Sequence, residues 1–425
     1  MAVSLRASRR GLQIVDQARK KKNWTKRAAA WCAAALVGEA ALKKFWARVP
    51  IERDRFESIC RAVGVENWEE IVDNTNEPIP HGSPLAVTKD WGEAPDVSVF
   101  YGRNKELTTL EQWIVSDRCR LVALLGIGGI GKTALCVRLA KQIQGEFKYL
   151  IWRSLRYAPP VEDLLTELIR FLSNDQETDL PKDIGRQVTM LIQYLRSHRC
   201  LLILDEAETI LQTGEIAGQY RKGYEGYGEL LKRVAEQMHN SCLVLTTQEK
   251  PKDVASQERN TQAVRSLQLG GLKEAEAREI FRAKRLSDPA KWVNLIRDYR
   301  GNPLFLNILS AYITDLFNGN VLEFLKLNTI LCCDDIRPLL DLLFERLSHL
   351  EKEIMYQLAN SASPISIPIL RQEILPPVSG SELMEALKSL EWRSLIEKHI
   401  EGNVFFYTLQ PLMRKYLHKR KSKLY

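Results

Sequence analysis

Residues 121–140 read LVALLGIGGIGKTALCVRLA. Five apolar residues lead into Gly126-Ile127-Gly128-Gly129-Ile130-Gly131-Lys132-Thr133, and Leu135 and Leu139 then recur at helical spacing. The eight residues fit GxxxxGK[ST], and they stand where that pattern has a mechanism, directly after a strand and directly before a helix. The glycines let the backbone curl until successive N–H groups converge, and the helix N-terminus adds its positive dipole at the same point. Such a loop holds phosphate. Lys132 is expected to reach the outer phosphates of a nucleoside triphosphate, and the Thr133 hydroxyl to sit on Mg²⁺. The expected nucleotide contacts here are Gly126, Gly128, Gly129, Ile130, Gly131, Lys132, Thr133 and Ala134.

A second acidic element follows at residues 201–206, Leu-Leu-Ile-Leu-Asp-Glu. Asp205 at the end of this apolar run is expected to hold Mg²⁺, directly or through water. Glu206 is a candidate general base that polarises the attacking water, with an exposed glutamate at a strand end as the plainer alternative. Lys132, Asp205 and Glu206 therefore form the candidate catalytic set, and Thr133 with Asp205 the metal set.

Outward from the loop, short apolar runs at residues 120–125, 149–154, 200–204 and 242–246 alternate with helical patterns at 132–144, 161–172 and 185–196. That alternation predicts a parallel sheet covered by helices on both faces. After residue 267 the strand signal fades into helical segments at 273–283, 289–299 and 304–316, followed by further helices and a strand pair around 395–409. Upstream, residues 74–98 carry Pro78, Pro80, Pro84 and Pro95 without sustained periodicity and read as a linker. Before it, residues 11–22, 26–34, 39–48, 53–63 and 68–72 read as short helices. The expected organisation is a basic helical unit (1–73), a linker (74–98), a P-loop NTPase domain (99–268), a helical subdomain (269–335) and a C-terminal domain (336–425).

Composition sets limits. The net charge of +8 is concentrated at the front, where residues 1–62 hold 15 Lys and Arg against 5 Asp and Glu, so the remainder is slightly acidic. Residues 20–22 (KKK) and the apolar run 28–37 imitate a secretory leader, but Glu39, Lys43 and Lys44 follow at once. No uncharged apolar run reaches bilayer length, which argues against a membrane partner. The eight cysteines show neither CxxC nor paired Cys/His spacing, so they are expected as buried thiols in a reducing cytoplasm.

The order of segments over roughly residues 97–420 resembles the NB-ARC family within the STAND class of signalling ATPases. Val99-Phe100-Tyr101-Gly102-Arg103 is similar to the family's hydrophobic-Gly-Arg lead-in, which implies that Gly102 and Arg103 line an adenine pocket. Residues 243–250 (LVLTTQEK) stand where the family has a strand ending in a sensor, which implies a γ-phosphate contact for Gln248. Gly301-Asn302-Pro303-Leu304 resembles the Gly-x-Pro-Leu motif, which implies that Pro303 packs on the adenine, whereas a proline opening the following helix is the local alternative. The segment 336–425 resembles the family's winged-helix domain, which clamps ADP. Two departures stand out. Gln248 replaces the usual sensor arginine and brings no charge. Leu409-Gln410-Pro411-Leu412 stands where plant members carry Met-His-Asp, with Gln410 as a neutral donor. The resemblance implies ATP/ADP and Mg²⁺ as cofactors, homo-oligomerisation in the ATP state, and, with these substitutions, slow hydrolysis.

Residues 24–65 resemble a Cro/CI-like helix-turn-helix, with 26–34 as its first helix, a turn at 36–38 and 39–48 as the recognition helix carrying Lys43, Lys44 and Arg48. Two outputs remain open at this point, a DNA duplex met through phosphate contacts and a protein partner met through a helical module. The leading expectation is a nucleotide-operated switch with the basic head as its output. A nucleotide-regulated DNA-binding regulator is the alternative, and a fast P-loop motor a third. Family members generally continue into repeats after the winged helix, and no such repeat is visible in this sequence.

Overall fold

The computed structural model describes all residues except 1–3, 6, 26–27, 47–49, 74–86, 178 and 423–425. The chain divides into two compact units, Met1–Ala86 and Val87–Tyr425.

In the first unit, helices Arg9–Lys21, Ala29–Ala35, Glu39–Trp46 and Arg53–Ala62 surround a core of Val15, Trp31, Leu42, Phe45, Phe56 and Ile59. The Trp31 indole N–H donates to the Ile59 carbonyl at 3.1 Å, so the largest buried ring leaves no polar atom stranded. Two short strands missed by periodicity, β1 (Ser4–Leu5) and β2 (Ile51–Glu52), pair antiparallel. The second helix opens at Ala29 rather than at residue 26, and residues 26–27 lie outside the described part. Arg48 and the Lys43 side chain lie outside it too, while Lys44 is exposed.

The second unit is built on a six-stranded sheet. Its strands are β3 (Thr88–Asp90), β4 (Leu121–Leu125), β5 (Tyr149–Ser154), β6 (Cys200–Asp205), β7 (Cys242–Thr247) and β8 (Val264–Gln268). All pairings are parallel, in the order β3-β5-β6-β7-β4-β8. Every residue of β4, β6 and β7 is buried, which is why these strands read as apolar runs until the polar residues at the carboxyl ends of β6 and β7. Alternate residues serve opposite faces. Val122 and Leu124 join the core under helix Lys132–Ile143, whereas Leu121, Ala123 and Leu125 join the core under Val161–Ser173, Ile184–Ser197 and Gly226–Glu236.

β3 corrects the expected linker, because residues 88–90 pair with Tyr149, Leu150 and Ile151 inside the sheet. β8 is a further unpredicted strand. After it come helices Glu274–Ala283, Trp292–Asp298 and Pro303–Phe317. Beyond residue 336 lie helices Arg337–Glu345, His349–Asn360, Ile367–Glu373, Gly380–Trp392 and Pro411–Lys421. They pack with a three-stranded antiparallel sheet of β9 (Ile365–Ser366), β10 (Glu397–Glu401) and β11 (Val404–Thr408), in the order β10-β11-β9. Among the described residues no helix is long and apolar enough to cross a membrane.

Candidate functional site

The strand register brings the carboxyl ends of β4, β6 and β7 to one edge: Leu125 is level with Thr247, and Leu204 with Leu245. That edge is where open α/β sheets hold ligands. The loop from Gly126 to Gly131 curls there, with φ of +74° at Gly129 and +100° at Gly131. A Cβ on Gly129 would stand 2.6 Å from Leu304 Cδ2, so only glycine fits between the loop and the helix that Pro303 opens.

Lys132 begins the helix after the loop and is buried. Its ammonium donates to the carbonyls of Gly126 at 2.8 Å and Ile127 at 3.3 Å, and burial holds its pKa below the ordinary lysine value. These are neutral acceptors, so the charge is hydrogen-bonded without a carboxylate in direct contact among the described residues. The Thr133 hydroxyl donates to Asp205 Oδ1 at 3.0 Å, and the Thr246 hydroxyl donates to the same oxygen. Burial raises the Asp205 carboxyl above its usual range, against the pull of these two hydroxyls. Glu206 stays near enough to act on the charges of Lys132 and Asp205, but a hydroxyl engages it. It adopts a left-handed conformation, φ +62°, and its Oε2 accepts from the Ser154 hydroxyl at 3.3 Å.

Residues that sequence reasoning missed complete the edge. Glu208, buried, accepts the Gln248 backbone N–H at 3.2 Å and lies close enough to Lys132 to stabilise its charge. Thr246 is one such residue, and Asn302 is another: its amide donates to the Gly128 carbonyl at 3.1 Å while its oxygen caps Leu304 and Phe305. The alternation along LVLTT, with a hydroxyl at a strand's carboxyl end, is the signal that would have found Thr246.

A cavity of about 430 Å³ opens beside the loop, lined by Val99, Phe100, Tyr101, Arg103, Ile130, Gly131, Ala134, Pro303 and Asn307 among others. Gly102 lies at φ +60°, and a Cβ there would overlap the Glu276 side chain. Arg103, 3% exposed, donates to the Ile130 carbonyl at 3.1 Å, the Gly270 carbonyl at 2.7 Å and Glu106 at 3.2 Å. It braces the loop against two other segments. A second cavity of about 250 Å³ contains Gln410 together with Ile127, Ile130, Arg300 and Asn302. The Gln248 amide nitrogen lies 3.9 Å from the point where a Gly128 Cβ would stand. Lys132, Thr133, Asp205 and Gln248 thus share the sheet edge, Arg103 and Pro303 share one cavity wall, and Gln410 belongs to the other cavity.

Residues 103–290 match the NB-ARC domain family model. The chain is 42% identical to an uncharacterized WD repeat-containing protein of Nostoc sp., over 98% of its own length and 36% of the relative's. It is 26% identical to the disease resistance-like protein DSC1 of Arabidopsis thaliana, over 60% of its own length and 20% of the relative's. The chain therefore spans about a third or less of these relatives. Among solved structures, the Walker-type ATPase of Pyrococcus abyssi aligns with a TM-score of 0.49 and 16% identity, over 75% of this chain and 96% of the other. The ORC2 protein of Aeropyrum pernix aligns with a TM-score of 0.44 and 17% identity, over 78% and 98%. Neither adds to the fold already given by strand order. A phosphate-type loop at the carboxyl edge of a parallel sheet and the family match converge on one statement: residues 103–290 are an NB-ARC domain, a nucleotide-binding P-loop NTPase module.

Proposed function

We propose that the chain is an ADP/ATP-operated switch of STAND type, with slow hydrolysis, assembly in the ATP state and output through its basic N-terminal unit. The observation that carries this reading is the pair of cavities flanking one loop. Ile130 lines both, and the second is walled partly by Glu391, Ser394, Ile396 and Gln410 of the C-terminal part, from a helix and the turns beside it. That C-terminal part is assigned here as the winged-helix domain, and its position against the loop lets it respond to what the loop holds.

The residues suit the group they are assigned. The buried Lys132 ammonium rests on carbonyl oxygens, a pairing that a phosphate anion outcompetes. Thr133 and Asp205 are adjacent hard oxygen donors, the type Mg²⁺ accepts alongside water and phosphate. Mg²⁺ when bound supplies charge neutralisation for the phosphates. Gly102, Arg103, Ala134 and Pro303 are assigned to the base side, and Gln248 and Gln410 to the phosphate side. Slow hydrolysis is favoured because Glu206 is engaged by Ser154 and Gln248 brings no charge to a developing transition state. Turnover on the order of ten per second would overturn it.

In the N-terminal unit Arg19 donates to Asp16 at 2.8 Å, Lys20 pairs with the same carboxylate, and Lys22 donates to the Ala62 carbonyl. Cations committed internally favour a protein partner over a DNA duplex as the output. Retention of duplex DNA on filters that falls steeply with salt and is lost in Lys43→Ala with Lys44→Ala would reverse that choice. The switch itself is tested by light scattering of the purified chain with Mg-ADP and with Mg-ATP. A larger assembly in ATP alone is expected, and the same mass in both states overturns it.

A further inference from the structure

Three residues past Thr246, a second group of buried charge lies outside the site described above. Glu249 is 1% exposed. One of its oxygens contacts Arg346 Nη2, and the other lies 2.6 Å from Arg393 Nη1. Arg393 Nε in turn lies 3.3 Å from Glu351 Oε1, which also accepts from the Ser389 hydroxyl at 2.6 Å. Glu249 belongs to the nucleotide-binding part, and the other members to the C-terminal helices. Around them, Arg393 donates to the Glu215 carbonyl at 2.7 Å, the Gly214 N–H donates to the Arg346 carbonyl at 3.0 Å, and the Ala217 N–H donates to Ser389 at 2.7 Å.

Two acids and two arginines balance, so the group is neutral as a whole and costly to break by removing one member. Its bonding is nevertheless incomplete. Among the described residues Glu249 Oε2, Arg346 Nε and Arg393 Nε have no directed hydrogen-bond partner, so proximity of charge rather than hydrogen-bond geometry holds them. Glu249 is also chained to the phosphate edge. Its neighbour Gln248 is held by Glu208 through the backbone and stands over Gly128, and the Thr247 hydroxyl bonds both the N–H and the carbonyl of Glu249. Gln248 and Glu249 thus sit on one hydrogen-bonded turn between the loop and the ionic group.

We propose that Glu249, Arg346, Arg393 and Glu351 form an ionic latch that fastens the C-terminal helices to the sensor strand and couples their release to the nucleotide held at the P-loop. This rests on the switch reading and names its regulation: Glu249 is a positioning residue that acts through Gln248. When the latch opens, all four charges gain water, so the open and closed states differ by an amount that a ligand contact at Gln248 can tip.

The test follows release of a fluorescent methylanthraniloyl-ADP, chased with excess ADP, from the full chain and from two variants, with thermal melting recorded alongside. Glu249→Gln leaves an excess buried positive charge, and it is expected to melt earlier and to release the probe about tenfold faster or more. Glu249→Gln with Arg346→Gln restores neutrality while leaving the latch cut. It is expected to regain most of the melting temperature and still to release fast. A merely structural role makes release return to the wild-type rate together with stability, and that result, or wild-type release in both variants, overturns the latch. If the single variant does not fold, the double variant alone decides by the same comparison. Failure of the unmodified chain to bind the probe overturns the switch reading instead.

Discussion

At the end of β7, Thr246 donates to the Asp205 carboxylate while Lys132 nearby rests on carbonyl oxygens; three residues on, Glu249 is gripped by two arginines. Both groups hold buried charge, yet among the described residues only the second is joined by direct ionic contacts. The difference separates a place that waits for an ion from a place that fastens two parts of the chain. A buried charge resting on neutral dipoles gains from an incoming counter-ion, whereas a buried charge with ionic partners loses when any one is removed.

The largest effect that would sharpen this contrast is on the balanced group. Glu249→Ala should cost about 3–5 kcal/mol in urea unfolding of the ligand-free chain, since it leaves the buried Arg393 and the half-buried Arg346 facing one glutamate. A cost under about 1 kcal/mol would break the comparison. His239, just before the start of β7, offers a third arrangement, charge avoided altogether. Its Nδ1 accepts from Ser241 N–H at 3.3 Å, its Nε2 lies 3.0 Å from the Val234 carbonyl, and burial lowers its pKa to about 4. The native ring stays neutral while the unfolded ring takes a proton near 6.5. Stability contributed by the neutral ring is therefore present above about 6.5 and lost as pH falls toward 4, by up to about 3 kcal/mol. His239→Gln should remove that part of the slope in melts across the same window.

On the other side of the comparison, Lys132→Met should weaken ADP binding about 100-fold in titration calorimetry. The ligand-free melting temperature should fall little, because among the described residues the ammonium removed touches only carbonyl oxygens and is supported by Glu208 without direct contact. A clear drop would mean that Lys132 fastens the structure as Glu249 does. The smallest effect belongs to Asp205→Asn. Burial raises the Asp205 carboxyl, so what it contributes to stability is full below the unfolded value near 3.9 and lost as pH rises through the raised native value. At neutral pH the asparagine variant should match or exceed the parent chain within about 1 kcal/mol, while any Mg²⁺ dependence of nucleotide affinity disappears.

Much of this architecture was legible because its signals are local. The strand, loop and helix of residues 121–140 are contiguous, and the buried strands β6 and β7 are apolar up to Asp205 and Thr246 at their carboxyl ends. β3 and β8 escaped notice because they are sheet edges: Thr88-Lys89-Asp90 has no apolar residue, and Val264–Gln268 buries only its first side chain. At the site, Asp205 announced itself by ending an apolar run, but the engagement of Glu206 by Ser154 depends on a left-handed backbone conformation that composition does not encode. Glu208, Asn302 and the Glu249 latch were invisible for another reason. Arg346 lies 97 residues from Glu249, and a charged residue read singly always looks like surface.

The central claim is that this loop holds a nucleotide, and the most direct measurement is chromatography of what denatured, freshly purified chain releases. About one adenine nucleotide per chain, chiefly ADP, is predicted. No released nucleotide, together with no heat on titrating Mg-ADP or Mg-ATP to concentrations on the order of millimolar, would contradict it.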